Sequence, residues 1–277
     1  MHAEPQTSGD LLYISAGRNE QILAYPKAKL LATFGYGNAR LCSDKKGNVY
    51  ATVSQGVNVY RQAATTPFRT LKVPYDFPED CSVDPASGDL AVAIACLSSC
   101  YTSVVVFRHA RGTAKAYAAG LFGQNCGYDN QGNLFVSGDS TSGQLAELPK
   151  GGKTFTPISL DPKVSVVGGH IQWDGHCLAL ENPGLNNVTP AFYQVTVSGS
   201  TATVVGTTPL NGAYEAFGGW IDGGRVIVPF VSSYYGASRV GYWKYPSGGT
   251  AEKVLLNRRY RFQFASSVTV SEAPNRR

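Results

Sequence analysis

The chain has a single methionine, only 16% charged residues and almost no helical periodicity. Beside 43% hydrophobic residues, so little charge describes a compact globular protein, and the missing 3.6-residue period points away from helical folds. No apolar run is long enough to cross a bilayer. The longest, LAVAIACL from Leu90, falls far short of the roughly 20 residues a spanning helix needs. No CxxC spacing occurs, and no G-x-S-x-G, so a serine-hydrolase nucleophile is not supported. No signal peptide is visible either. The start MHAEPQTSGD reads as an initiator Met set before a mature exported chain, so a secreted or periplasmic location with the leader removed is expected. The net charge of +5 is modest and its cations are scattered. The one local cluster, NRRYRF from Asn257 to Phe262, reads as a solvated connection, and no nucleic-acid partner is expected.

What the chain has in quantity is glycine and proline, 31 and 15 of them, a turn-rich composition suited to β structure. A chain of 277 residues has room for one large domain or two small ones, and internal repetition decides between them. Aligned on an Asp, five segments read ARLCSDKKGNVYAT, EDCSVDPASGDLAVA, QNCGYDNQGNLFVS, GHIQWDGHCLALE and FGGWIDGGRVIVP. Their anchors Asp44, Asp84, Asp129, Asp174 and Asp222 are spaced by 40, 45, 45 and 48 residues. A second hydrophobic run follows each copy, as in VNVYRQ, SVVVFRH, GQLAELPKGG, FYQVTV and VGYWKYPSGG, and a fourth short run leads to the next. Four strands per copy at this period are the signature of a β-propeller blade.

The ends supply the rest of the count. SGDLLYISAG from Ser8 matches SGDLAVAIAC from Ser87, so the chain begins inside a repeat that lacks its first strand. FASSVTVSEAP, from Phe264 to Pro274, is a strand with no hairpin partner after it. The expectation is an all-β, six-bladed propeller of four-stranded blades, the first closed by the C-terminal strand. It forms one domain over 1–277, with 1–8 and 275–277 as tails and a monomer as the state.

The repeated phrase (a polar residue, a small one, an apolar residue before Asp, then Gly-Asn and an apolar run) resembles the NHL-repeat propellers and the wider gluconolactonase/regucalcin-like superfamily. It covers nearly the whole chain and is specific for fold rather than activity. The five Asp anchors read as structural, each capping the turn after an innermost strand, with a Gly supplying positive φ.

Function is expected at the funnel mouth, where polar groups from several blades converge. The residue four before each anchor reads Arg40, Asp80, Asn125, His170, Gly218 and Ser267 around the ring. A second set follows the next strand: Asp139, Glu181 and Asn182, with Arg18 and Glu20 beside them. The candidate ligand-binding residues are therefore Arg40, Asp80, Asn125, His170, Asp139, Glu181 and Asn182, around a solvated mouth. Two readings stay open for Arg40, which either pairs with Asp80 or contacts ligand, and for Asn125, which either caps a loop or contacts ligand. His170 stands apart from His2 in the tail, His109 on an outer strand and His176 in an opposite-face turn. It is a candidate catalytic base, a metal ligand, or a hydrogen-bonded structural residue.

The resemblance implies more. Gluconolactonase-like enzymes hold a divalent metal at this mouth through Glu, Asn and Asp, the hard oxygen ligands calcium takes. Carried over, Asn125, Asp139 and Glu181 become metal ligands, with Asp80 able to substitute. The segment FASS, however, has no acidic residue where those enzymes carry their Glu. A zinc site on His170 with Cys81 or Cys126 is excluded because those cysteines sit one residue off the funnel position. Cys42, Cys81 and Cys126 are expected as small core residues packed between blades. Cys96 and Cys100, in CLSSC, are expected to form a short disulfide suited to an oxidising compartment.

Three functions follow: a binder of a small polar ligand or glycan at the funnel, a metal-assisted lactonase-type hydrolase with His170 as base, or a protein-interaction scaffold. The last is favoured by the aromatic loop SSYYGASRVGYW from Ser232 to Trp243, since Tyr and Trp are interface anchors.

Overall fold

The computed structural model describes residues 9–35, 37–74, 77–95, 103–138, 144–161, 164, 169–184, 188–256 and 264–274. Asp139, Cys96, Cys100, the NRRYRF cluster and the expected tails lie outside the described residues.

The repeat phrase folds as its chemistry requires. The Asp44 carboxylate accepts hydrogen bonds from the backbone N–H of Lys46 and Asn48, from the Asn48 side chain and from the Tyr50 hydroxyl. Asp129 does the same with Gln131 and Asn133. Asp84 takes Ala86 N–H and the Ser87 hydroxyl, and Asp174 takes His176 and Cys177. Each Asp thereby satisfies turn donors that no ladder reaches. Gly47 at φ +79° and Gly132 at φ +85° supply the left-handed step that closes two of these turns.

Between turns the chain is almost wholly strand, the one described helical piece being a short 3-10 turn at Arg108–Ala110. Three antiparallel sheets have four strands each. The first is Ala265–Ser271, Leu11–Ala16, Glu20–Ala24 and Lys29–Phe34. The second is Leu41–Ser43, Val49–Val53, Gly56–Tyr60 and Arg69–Lys72. The third is Pro78–Val83, Leu90–Ile94, Val104–Phe107 and Lys115–Tyr117. In the first, the last strand of the chain pairs with the earliest, Leu11 opposite Ser271 and Ser15 opposite Ser267.

The remaining strands depart from the expectation of separate four-stranded units. The antiparallel run Asn125–Tyr128, Leu134–Gly138, Gln144–Leu148, Thr156–Leu160 joins the run Ile171–Trp173, Leu178–Asn182, Ala191–Ser198, Thr201–Asn211 in one nine-stranded sheet. The join is a short parallel contact, Ser159 and Leu160 against Thr201 and Ala202. Within the 11-residue strand Thr201–Asn211, Thr201 and Ala202 pair with Ser198 and Val197 on one edge and meet Ser159 and Leu160 on the other, and only Leu210 and Asn211 extend past the hairpin. Its far end pairs with Gly249–Thr250. The last sheet has five strands because its innermost strand is split into Glu215–Ala216 and Trp220–Asp222 around Gly218 and Gly219. Gly218, at φ +48°, is where the split strand turns.

The core lies between sheets rather than inside any one. Leu11, Tyr13 and Ile22 pack on Leu41, Val49 and Ala51, and Tyr50 and Val57 pack on Leu90, Val92 and Phe107. Similar layers follow in sequence order, until Ile227, Val240 and Tyr242 of the last sheet pack on Leu12, Ile14 and Val268 of the first. Each innermost strand starts at one face, the mouth. Every turn between first and second, or third and fourth, strands therefore lies on the opposite face, the turn face.

One expectation is corrected here. Cys42 and Cys81 are not separate core thiols but a disulfide, with Cα atoms 5.8 Å apart. Cys42 lies two residues before its Asp anchor and Cys81 three before its own, so the alternation of side chains along neighbouring innermost strands turns the two toward their shared gap. Cys126, one sheet further on, is free and buried, and Cys177 is free.

Candidate functional site

The innermost strands deliver their starting residues to the ring axis, and hydrogen bonds cross it. Asp80, from the third sheet, reaches His170 in the second half of the nine-stranded sheet, with Oδ2 3.1 Å from the imidazole Nδ1. The same oxygen accepts the Cys126 N–H at 3.4 Å. Glu181 pairs across strands with its own neighbour: its Oε2 accepts the backbone N–H of His170 at 3.0 Å and of Gly219 at 3.1 Å. Arg40 donates from Nη1 to the Ser266 carbonyl at 2.6 Å, and its N–H bonds the Thr52 hydroxyl. The partner expected for Arg40, Asp80, is thus taken by His170. The Trp220 ring lies 6.0 Å from the His170 ring and closes one side.

Four sequence-derived candidates come together here (Arg40, Asp80, His170 and Glu181), with Asn125 beside Cys126 on the strand Asp80 touches. All but the partly exposed Arg40 are withdrawn from solvent. Asp80, Asn125, His170 and Glu181 are all buried, Glu181 completely. Asn182 is spent elsewhere: its carboxamide oxygen accepts Gly184 N–H and its nitrogen meets the Tyr193 hydroxyl. Glu20 is buried under the loop at Gly35, and Arg18 is exposed on the rim. Ser137 and Thr52 belong to the cluster and went unnoticed. The signal was available, because each sits opposite a mouth residue, Ser137 across from Asn125 and Thr52 against Arg40. Among the described residues, Glu181 Oε1, Asn125 Nδ2 and Ser137 Oγ are buried without a hydrogen-bond partner.

Burial sets the electrostatics. For His170 it favours the neutral ring, but the Asp80 charge and hydrogen bond, with Glu181 behind, outweigh it and raise the imidazole above its ordinary value of 6.5, Arg40 opposing. Burial also raises the Glu181 carboxyl, against its two backbone donors, His170 and Arg40. A raised His gives stability that is complete below 6.5 and is lost as the pH rises through the folded-state value. His170→Gln should therefore cost about 3 kcal/mol near pH 6, since it leaves the buried Asp80 charge without its partner. The cost should shrink as the pH rises through the folded-state value, where the wild-type ring also loses its charge. Melting curves of both proteins across this range test it, and a difference that grows with pH would refute the assignment.

Of the calcium set, Asp139 lies outside the described residues, and the carboxylates that are described, Asp80 and Glu181, are already engaged. Asp80 is held by His170, one oxygen of Glu181 by two amides, and a guanidinium lies close enough to act on both Glu181 and His170. Among the described residues no three His, Cys, Asp or Glu side chains gather as metal ligands. No step through a metal is derived.

A second feature surrounds the mouth. Phe122, Tyr214, Tyr234, Tyr235 and Phe264 are exposed large apolar side chains, and all lie in connections on the mouth face. Tyr234 is 73% exposed and Tyr235 93%. Tyr214, Tyr234 and Tyr235 form one cluster, with ring centroids 6.3 Å and 4.7 Å apart.

No known protein family matches the chain, and no curated protein resembles it in sequence. Solved structures do resemble it in fold. One, from a nidogen/laminin complex, is 11% identical with a TM-score of 0.72, covering 96% of this chain and 99% of that one. A hydrazine synthase of Kuenenia stuttgartiensis is 12% identical at 0.58, covering 88% and 79%. The RRP9 WD40 repeats are 12% identical at 0.55, covering 79% and 69%. Radially stacked antiparallel sheets with these neighbours define a β-propeller. Among the described residues, no helix is long and apolar enough to cross a membrane.

Proposed function

We propose that the protein is a six-bladed propeller of the NHL-like kind that acts by binding, with a protein partner seated on the aromatic side of its mouth. The blade count rests on treating the nine-stranded sheet as two antiparallel blades touching at their outer edges, which two parallel residue pairs join. The observation carrying the function is the exposed Tyr214–Tyr234–Tyr235 cluster. Its surroundings, Ser232, Ser233, Gly236, Asn211 and Gly212, supply small adaptable hydrogen-bonding groups around rigid aromatic anchors. That is the composition antibody loops use against protein surfaces. One fold neighbour comes from a protein–protein complex, that of nidogen with laminin. The buried Cys42–Cys81 disulfide supports a secreted or periplasmic location.

A photo-crosslinking residue placed at Tyr235 should capture one protein species saturably. Capture should fall with Tyr214→Ala/Tyr234→Ala and persist with the turn-face change Lys46→Glu. Equal capture from a probe at Lys46 would overturn the proposal.

A second reading has its own support. The partnerless Glu181 Oε1, Asn125 Nδ2 and Ser137 Oγ favour a small polar ligand or glycan reaching the axis, because unpaired buried polar groups cost about 1–3 kcal/mol each.

A further inference from the structure

The cations are scattered in sequence, but the topology gathers them. Every blade sends its first-to-second and third-to-fourth turns to the turn face, and the turns of the second, third and fourth blades carry Lys45, Lys46, Arg108, Arg111, Lys150 and Lys153. All six are exposed. Among the described residues none of the six makes an ion pair. The four carboxylates on the same turns are engaged by turn donors, Asp84 and Asp129 buried and Asp44 and Asp89 partly exposed. Asp44 and Asp129 are saturated by turn amides and Asn side chains, Asp84 by Ala86 and Ser87, and Asp89 by His109. With six exposed cations against four engaged carboxylates, the turns of these three neighbouring blades keep a net positive charge.

We propose that this sector of the turn face binds an anionic polysaccharide, its sulfate or carboxylate groups bridging lysines and arginines of successive blades. Guanidinium and ammonium groups at turn tips suit such oxyanions. The exposed aromatic ring on this face, Phe68, is already covered by the guanidinium groups of Arg61 and Arg69 at 4.6 Å and 5.6 Å. Among the described residues, the face therefore offers the His109 imidazole but no uncovered exposed Phe, Tyr or Trp ring for stacking bases, as single-stranded nucleic acid sites do. Nor does it present an apolar wedge for insertion into lipid. The buried disulfide supports an oxidising, extracytoplasmic location, which fits a polysaccharide partner.

The test is titration of the full chain with heparin, a sulfated polysaccharide, at about 50 mM and about 150 mM NaCl. Saturable binding that weakens with salt is expected. Lys45→Glu/Lys46→Glu/Lys150→Glu/Lys153→Glu should weaken it roughly tenfold or more with an unchanged melting temperature, since charge contacts dominate such affinity. Arg18→Glu, at an exposed cation on the mouth face, should leave it within about twofold, as should Tyr234→Ala/Tyr235→Ala. Four outcomes would each overturn the proposal. They are no saturable binding at the lower salt, equal loss with Arg18→Glu, tighter binding of an oligonucleotide of equal charge, and tighter binding of phosphatidylserine vesicles.

Discussion

Removal of residues 264–277 should abolish cooperative folding of the entire chain. Every residue of Ala265–Ser271 is buried, and the strand is the innermost member of the first sheet. Ala265, Val268 and Val270 fill the layer shared with Ile227 and Tyr242 of the last sheet. Side-chain bonds tie the strand to the second sheet as well. The Ser267 hydroxyl accepts Leu41 N–H, the Ser43 hydroxyl donates to the Val270 carbonyl, and the Ser271 hydroxyl donates to the Gly47 carbonyl. Deletion thus opens three sheets at once and exposes Leu11–Ala16 as a hydrophobic edge. The loss should far exceed the ~1–3 kcal/mol of a point substitution and approach the ~5–15 kcal/mol that holds a domain folded. A broad, non-cooperative melt with collapsed amide dispersion is expected. A truncated chain that melts like the intact one would mean that the ring is not held by this strand.

That closure was legible because it is written twice, once as a repeat that starts without its first strand and once as a strand without a hairpin. The Asx turns at Asp44, Asp84, Asp129 and Asp174 were legible for the same reason, since a repeated phrase declares a local requirement. The fifth anchor, Asp222, bonds the Tyr25 side chain instead. The axis was legible only as positions. Counting four residues back from each Asp found Arg40, Asp80, Asn125 and His170, but spacing carries no information on who pairs with whom across the ring. Asp80 took His170 rather than Arg40, and burial replaced the solvated mouth. Sequence order also hides lateral contacts, so Thr201–Asn211 gave no warning that it would join its neighbours. Charge is hidden in the same way. Lys45 and Lys153 are far apart in the sequence, yet both turns fall on one face. The cysteines show the limit most clearly. Cys42 and Cys81 read as unrelated core residues until the inter-sheet register set them opposite each other, whereas the nearby pair Cys96 and Cys100 attracted the pairing because it was local.

Cys42→Ala/Cys81→Ala should lower stability by about 4 kcal/mol, which for a chain of this size is roughly a 10 °C fall in melting temperature. The two residues are 39 apart, so their bond closes a loop long enough to remove considerable freedom from the unfolded chain. That loop holds the whole second blade, so the bond fastens the second sheet to the third near the axis. The native state should lose little else, since both sites are buried among aliphatic and aromatic neighbours that tolerate alanine. The same pairing is checked chemically. Peptide mapping without reductant should recover Cys42 joined to Cys81, with Cys126 as a thiol that reacts only after unfolding. Burial, with the Asp80 charge beside it, keeps the Cys126 thiol protonated, so it should stay inert in the native protein even at mildly alkaline pH. Alkylation of Cys42 or Cys81 in protein folded under oxidising conditions would remove the bond. A double variant that melts within about 2 °C of the parent would show that the loop constraint does not act on the unfolded chain as argued.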